Sequence, residues 1–596
     1  MSLGSRIRRE LLFYRGLART LGRVRSIAPD SRNLLCDDLE ASFRAHAARP
    51  ALTFEGRSLT YGELDAMANR YAQWALSCGF ARGQVVAVFL PNRAEYFALW
   101  YGLSKVGVVA ALINNQLQGA SLAHCLGISG ARACVVDPET AGAFAGVAAD
   151  LEKPLEVWTL DGPARGLRDL GAALADLPGE APDRALREGM TASDSALLIF
   201  TSGTTGLPKA ARINHVRAQL YMRGFAGSTG ARAADRIYVA LPLYHATGGL
   251  CALGAAFLNG GSVVLKRRFS ASAFWPDVTS EACTMFVYIG ELCRYLVNQA
   301  PQQGERSHQL RLAFGNGLGA GVWRRMDERF AIPRILEFYG STEGNVSMFN
   351  FDGHEGAIGR APAWLRARLN VRLIRFDVEK GEPVRDAQGL CIECAPGEVG
   401  ECVGLIGTDA RSQFTGYLDR AASERKIARD VMAPGDAWFR TGDLMRQDQE
   451  GYFYFVDRIG DTFRWKGENV STTEVATQLG KAPGVLEANV YGVRLEGAEG
   501  RAGMAALVTS DDFDLAEFAS HVDAALPVYA RPVFLRLMPQ IETTGTFKQR
   551  KVDLIEEGFD PHRVRSPLYY RTPATNGYVP VTAQAYEDLH AGRMRL

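Results

Sequence analysis

The sequence lacks several features that would have narrowed its class at once. Its 596 residues contain no apolar run of the length that a bilayer crossing needs. The most apolar region, Tyr238 to Leu265, is broken by Pro242, His245, Asn259 and several glycines, and reads as buried core. Charge of one sign is not in excess: 67 Lys and Arg stand against 66 Asp and Glu. That balance gives no support for a nucleic-acid partner. A cysteine framework is missing as well. The ten cysteines are scattered, and the one cluster, Cys391-x-x-Cys394 with Cys402 beyond it, has no second pair and no nearby His. Zinc is therefore not expected, and reduced thiols in the cytosol are. There is no internal repeat and no low-complexity tract. With 47% hydrophobic and 22% charged residues, the chain reads as a soluble globular enzyme of more than one domain.

What is present is concentrated first in one loop. The apolar run Ala196 to Phe200 predicts a buried strand. It empties into Thr201-Ser202-Gly203-Thr204-Thr205-Gly206-Leu207-Pro208-Lys209. Glycines let backbone N–H groups turn inward around an anion, and hydroxyls add donors. The lysine adds a point charge suited to phosphate. The spacing is not that of a Walker A loop, G-x-x-x-x-G-K-[ST]. Gly203 and Gly206 are too close, and Pro208 opposes a helix that starts straight off the loop with Lys209 at its N-terminus.

Around this loop, helix-like and strand-like patterns alternate. Ala94 to Lys105 leads to Val106–Ile113, Ser270–Glu281 to Thr284–Ile289, and Trp323–Phe330 to Arg334–Phe338. Such alternation predicts an α/β sheet with helices on its faces. The stretch from Leu151 to Ala192 reads as loop-rich. From Gly451 the pattern changes to short strands and one helix, Leu515 to Leu526. That is the pattern of a compact α+β domain, with a boundary expected at Arg458 to Gly460. Residues 1–28 hold seven arginines against one acid, Glu10. Leu3, Ile7, Leu11, Tyr14, Leu17, Leu21 and Val24 recur at steps of three and four. This predicts a basic amphipathic helix, which either lies in a membrane interface or docks on the protein's own surface.

Further motifs follow the loop in a fixed order. They are Leu241-Pro242-Leu243-Tyr244-His245, Tyr339-Gly340-Ser341-Thr342-Glu343-Gly344-Asn345, Thr441-Gly442-Asp443, Asp457-Arg458 and Thr546-Phe547-Lys548. Loop and motifs together resemble the adenylate-forming enzymes. Asp461 to Val475, Gly315-Asn316-Gly317-Leu318, Phe286 to Glu291 and Thr544 to Lys548 are similar to one branch of them. That branch comprises the fatty acid transport proteins and very-long-chain acyl-CoA synthetases. The likeness runs from about Leu59 to the C-terminus and leaves the arginine-rich segment outside.

The resemblance implies an α/β fold: a large multi-subdomain N-terminal adenylate-forming domain with mixed sheets, and a small mobile α+β C-terminal domain. The boundaries it suggests are 1–28 for the basic segment, 29–457, a hinge at 458–460, and 461–596. It implies ATP-dependent activation of a long-chain or very-long-chain fatty acid through acyl-AMP, then transfer to coenzyme A. Its alternatives are a fatty acyl-AMP ligase for a carrier protein and a fatty-acid uptake or binding protein, and steroid acids stay open as substrates. In this reading Thr201, Ser202, Gly203, Thr204, Thr205, Gly206 and Lys209 cradle phosphates. Glu343 holds Mg²⁺ and Thr342 bonds the α-phosphate. Gly315, Asn316 and Gly317 face the base, and Tyr339 either stacks on adenine or is plain core. Asp443 and Arg458 bond the ribose, and His245 shapes the acyl pocket. Lys548 is the catalytic cation, with Arg550 and Lys551 as its near neighbours. Gly460 stands where relatives commonly carry Asp or Lys at the hinge. The expected location is cytoplasmic, peripheral on the inner membrane face through residues 1–28.

Overall fold

The strand and helix patterns alternate in space as they do in sequence. The computed structural model describes residues 3–162, 166–201, 207–366, 368–378, 380–466, 468–496, 500–543, 549, 551–572, 577–591 and 593–594. The chain divides into two compact units. The first holds residues 1–318, 326–360 and 404–428, and the second holds 319–325, 361–403 and 429–596.

The first unit contains two mixed sheets. One has eight strands in the order Ser347–Asn350, Ile335–Gly340, Leu312–Asn316, Met285–Ile289, Arg236–Val239, Ser262–Leu265, Pro50–Phe54, Arg57–Thr60. Its neighbours are parallel except at the two edges. The other has seven strands, from Arg168–Asp169 through Glu156–Thr159, Ala131–Val136, Val85–Phe89, Val109–Leu112 and Ser195–Thr201 to Lys209–Asn214. Only its last pair is antiparallel. Parallel strands covered on both faces read as near-continuous apolar runs, and Val85–Phe89, Val109–Leu112 and Met285–Ile289 are almost wholly buried. The helix Ala94–Lys105 is likewise buried around its circumference. Gly102 allows this, because a Cβ there would lie 2.2 Å from the Ala68 carbonyl oxygen. The stretch expected to be loop-rich contributes the strand Glu156–Thr159 and the helix Leu170–Ala175. Both are too short for periodicity to reveal.

The second unit carries a five-stranded sheet, in the order Val485–Val493, Ala502–Thr509, Phe534–Leu537, Leu568–Arg571, Tyr578–Pro580. The expectation of one helix here is corrected. Besides Leu515–Ala525, the described residues form the helices Thr472–Leu479, Val552–Glu557 and Ala583–His590. Each has eight residues or fewer, below the window in which a helical period stands out. The antiparallel pair Ala437–Gln447 and Tyr452–Arg458 also belongs to this unit.

Residues Leu3–Val24 form one helix, and it docks on the first unit. Phe13, Gly16, Thr20 and Val24 make the buried face. The approach to the helix His215–Ser228 is close: a Cβ on Gly227 would lie 2.8 Å from Thr20 Cα, and one on Gly16 would enter the Phe351 ring. Ion pairs fix the N-terminal half, Arg9 Nε to Asp352 at 3.5 Å and Glu10 to Arg360 Nη2 at 2.7 Å. Among the described residues, no helix is long and apolar enough to cross a membrane.

Docking through small residues leaves no room for larger ones. Gly227→Val should destabilise the first unit by about 1–3 kcal/mol through overpacking. It should also open Leu3–Val24 to limited trypsin cleavage. An unchanged melting temperature together with an unchanged digest would mean that the helix is not held as described.

Candidate active site

The strand Ser195–Thr201 does not lead into a helix. It returns as the antiparallel strand Lys209–Asn214, with Thr201 and Lys209 as register partners. Ser202, Gly203, Thr204, Thr205 and Gly206 lie outside the described residues, as does Lys548. The two ends of the phosphate-loop candidate are therefore side by side on neighbouring strands.

A third segment runs along that hairpin. Arg212 N–H donates to the Gly416 carbonyl at 3.0 Å, and Leu418 N–H donates to Ala210 at 2.9 Å. The pairing sets Tyr417 beside Lys209, whose Nζ lies 5.7 Å from the ring centroid. The Tyr417 hydroxyl donates to Glu343 Oε1 at 2.9 Å and lies within hydrogen-bonding reach of the Thr201 side chain. Burial, and then the Glu343 carboxylate, push the phenol pKa well up, so the group stays a neutral donor. Thr201, Lys209 and Glu343 come from two different sheets, and one tyrosine joins them. Tyr417 carries no periodic signal in the sequence.

Glu343 and Thr342 follow the strand Ile335–Gly340, and Gly315 to Gly317 end the parallel strand Leu312–Asn316 beside it. Carboxyl ends of parallel strands are where α/β folds place their ligands. The Tyr339–Glu343 turn is held from the helix His215–Ser228. Arg217 Nη2 donates to the Ser341 carbonyl at 2.6 Å, and the Tyr221 hydroxyl donates to the same oxygen at 2.9 Å. Asn345 then ties the turn to the chain that leads to Tyr417, donating to the Leu405 and Ser412 carbonyls at 2.8 Å each. Tyr339 itself is half-buried. Gly315 has a role inside the protein: a Cβ there would lie 2.1 Å from the Tyr288 carbonyl oxygen. Gly317 has φ +83°, a conformation that favours glycine.

Beneath these glycines lies Glu337, a buried acid in an otherwise apolar strand. Tyr288 donates its hydroxyl to Oε2 at 2.5 Å and the Leu318 N–H donates to Oε1 at 2.9 Å. The Gly317 N–H bonds it too. Burial raises its pKa to about 8, against the lowering effect of these donors. The sequence signal for it is an acid within the apolar run Ile335–Phe338.

His245 sits in a turn that the Asn92 side chain clamps. Asn92 donates to the Leu241 carbonyl at 2.9 Å and accepts from the Leu243 N–H at 2.8 Å. A π-helical stretch, Thr247–Ala252, follows, a rare form that recurs at functional sites. His245 packs against the Tyr244 ring, with centroids 4.8 Å apart.

In the second unit, Asp443 and Arg458 are register partners on adjacent strands, with Asp443 Oδ1 3.7 Å from Arg458 Nε. The fully buried Glu401 holds Thr441–Asp443, which lies inside the strand Ala437–Gln447, accepting from the Gly442 N–H at 3.3 Å and pairing with Arg440 at 2.9 Å. Lys551 Nζ donates to Thr472 Oγ1 at 2.8 Å and pairs with Asp461 at 3.2 Å. Of the three cations clustered at the C-terminal motif, Lys551 is thus engaged within its own unit.

Two polar atoms at the strand ends, Asn316 Oδ1 and Ser341 Oγ, are buried without a hydrogen-bond partner among the described residues. Orphaned acceptors and hydroxyls suit a polar ligand that completes them. Among the described residues, no group of three or more His, Cys, Asp and Glu side chains forms a metal cage. A single carboxylate such as Glu343 would suit Mg²⁺, an ion usually held by one or two carboxylates plus substrate phosphates.

The buried carboxyl generates a pH prediction. Its folded pKa of about 8 stands above the ordinary 4.5, so the native state binds the extra proton in that window. The stability tied to it is complete below pH 4.5 and is lost as pH rises towards about 8. Glu337→Gln should flatten the stability profile across that range in urea titrations. Glu337→Ala should cost about 1–3 kcal/mol by leaving buried donors unpaired. A parallel pH slope in Glu337→Gln and the parent would sink this reading.

Comparison with known proteins gives the family of the chain. The profile of the AMP-binding enzyme family matches residues 39–417, and that of the AMP-binding enzyme C-terminal domain matches 474–548. The chain is 47% identical to human long-chain fatty acid transport protein 3 over 450 residues, which cover 74% of this chain and 65% of that protein. It is 40% identical to mouse long-chain fatty acid transport protein 6 over 560 residues, which cover 93% and 90%. Among solved structures, ATP-bound MatB from Rhodopseudomonas palustris superposes with TM-score 0.73 at 22% identity, over 87% of this chain and 98% of that one. A Mycobacterium tuberculosis fatty acyl CoA synthetase gives 0.63 at 22%, over 88% and 98%. At that identity these structures speak for the fold, and the sequence matches speak for descent. The chain belongs to the AMP-binding enzyme family, in its long-chain fatty acid transport protein branch.

Proposed function

We propose that this chain is a long-chain or very-long-chain fatty acyl-CoA synthetase. ATP, a fatty acid and coenzyme A would give acyl-CoA, AMP and pyrophosphate. The observation that carries the reading is the Thr201–Tyr417–Glu343–Lys209 cluster. It is a hydroxyl, a carboxylate and a cation set together where a nucleotide-phosphate loop begins and ends. The choice of a fatty acid rests on relatives named long-chain fatty acid transport proteins, at 40–47% identity.

A fatty acid carboxylate does not react with a thiol directly, because oxide would have to leave. In the first step a carboxylate oxygen attacks the α-phosphorus and the bond to pyrophosphate breaks. In the second the coenzyme A thiolate attacks the acyl carbon and the bond to AMP breaks. Charge builds on phosphoryl oxygens in the first step, so stabilisation is electrostatic. Lys209 and the N–H groups of its loop take the outer phosphates. Mg²⁺, held by Glu343, would supply charge neutralisation between phosphates. Tyr417 holds the Glu343 carboxylate in one orientation. Asp443 and Arg458 take the ribose hydroxyls, and Lys548 neutralises the fatty carboxylate and α-phosphate as they meet. His245 borders the acyl chain.

The test is AMP formation from ATP across a fatty-acid length series, with and without coenzyme A. The expected result is turnover that needs both a long-chain acid and coenzyme A. Acyl-AMP that forms but is not passed to coenzyme A would instead mean a carrier-protein ligase. Absence of AMP with every acid would favour an uptake or binding protein. Glu343→Gln should lower kcat by roughly 10²–10³-fold, the scale for losing one electrostatic stabiliser. Lys548→Ala should slow acyl-AMP formation yet spare transfer from supplied acyl-AMP.

A further inference from the structure

The N-terminal helix has two faces, and only one is used. Phe13, Gly16, Thr20 and Val24 dock. On the opposite side, Ile7, Leu11, Tyr14 and Leu21 are 52%, 57%, 46% and 38% exposed. At 100° per residue they form one stripe with Ala18, about 21 Å long. Among the described residues, this helix carries four of the thirteen large hydrophobic side chains that stand exposed. The apolar recurrence visible in the sequence is therefore mostly the outer stripe, and the docking face is a different one.

Arg8 and Arg15 are exposed and run along one edge of the stripe, about 80–100° round the helix from it, while Arg19 on the same edge donates from Nε to the Gly227 carbonyl at 3.3 Å. Glu10 is already paired with Arg360 at 2.7 Å. We propose that this outer face seats the protein on an anionic lipid surface. The stripe would enter the headgroup and acyl boundary, and the arginines would reach lipid phosphates beside it. An apolar face flanked by basic residues is the composition of helices that lie in an interface. Long arginine stems can lie along apolar surface while the heads stay polar. A second copy of the chain fits less well, because it would bring a second arginine row and no unpaired acid on the helix to meet it. The helix keeps its docked face throughout, so the whole first unit is oriented by the surface it binds. The inference does not depend on the synthetase reading.

The test is co-sedimentation of the full chain with phosphatidylcholine vesicles, with and without phosphatidylglycerol. The parent should partition to the anionic vesicles and be released by salt. Leu11→Glu with Tyr14→Glu should lower that partition by at least roughly tenfold, because buried apolar area is lost. Arg8→Gln with Arg15→Gln should lower it roughly thirtyfold on anionic vesicles only, at the usual contribution of each basic residue near such a surface. Leu21→Gln is the milder control. All five positions are exposed, so melting temperatures should match the parent. Parent and stripe variants that partition alike, or a parent that ignores both vesicle types, would overturn the proposal. So would a dimer in solution that Leu11→Glu dissolves, which would make the stripe a self-association surface.

Discussion

The site in the first unit depends on one act of backbone pairing. Residues Gly416 to Leu418 run along the strand that follows the phosphate-loop candidate. That pairing fixes Tyr417, and Tyr417 bonds Glu343 from the other sheet. Without it, Glu343 would lose its direct bond to the strand pair that carries Thr201 and Lys209, and only the contacts of Arg217 and Tyr221 to the Ser341 carbonyl described above would hold its turn from that side. Backbone hydrogen bonds set the register, and register sets where a side chain points. Asn345 reinforces the arrangement from the other end by holding the chain at Leu405 and Ser412. Gly404 is small for the same reason, since a Cβ there would meet Asn345 Oδ1 at 2.2 Å.

Much of this was legible in the sequence, and the limits have physical causes. Long elements with a strong period were read closely: the expected helix Ala94 to Lys105 is the observed one, and the apolar runs after each helix are parallel strands. Glu343 follows a strand, Arg458 ends one and Asp443 lies within one, and in all three cases a local motif carries the information. Asp443 and Arg458 even emerge as register partners. The residues that were missed act at long range. Tyr417 meets Glu343 across 74 positions, and Asn92 clamps the His245 turn across 149. No local pattern announces such pairings. Glu337 was the exception, visible as an acid inside an apolar run. Its partner Tyr288 was not visible.

The N-terminal helix shows how a correct period can be assigned to the wrong neighbour. Its apolar recurrence is real, but the face that docks is built on glycine and threonine. Close approach of backbones needs small residues, which a hydrophobic pattern does not register. Large side chains are thereby left facing outward beside a row of arginines.

The buried Glu337 has a consequence for the potential at the sheet edge. With a pKa of about 8, this carboxyl is mostly uncharged at neutral pH. It still accepts from the Gly317 and Leu318 N–H groups, less strongly than a carboxylate would, and adds almost no negative field beside Asn316. An edge built to meet a polyanion would be weakened by a fixed charge of the same sign. The fold obtains the bonding capacity of an acid there while leaving the local potential nearly untouched.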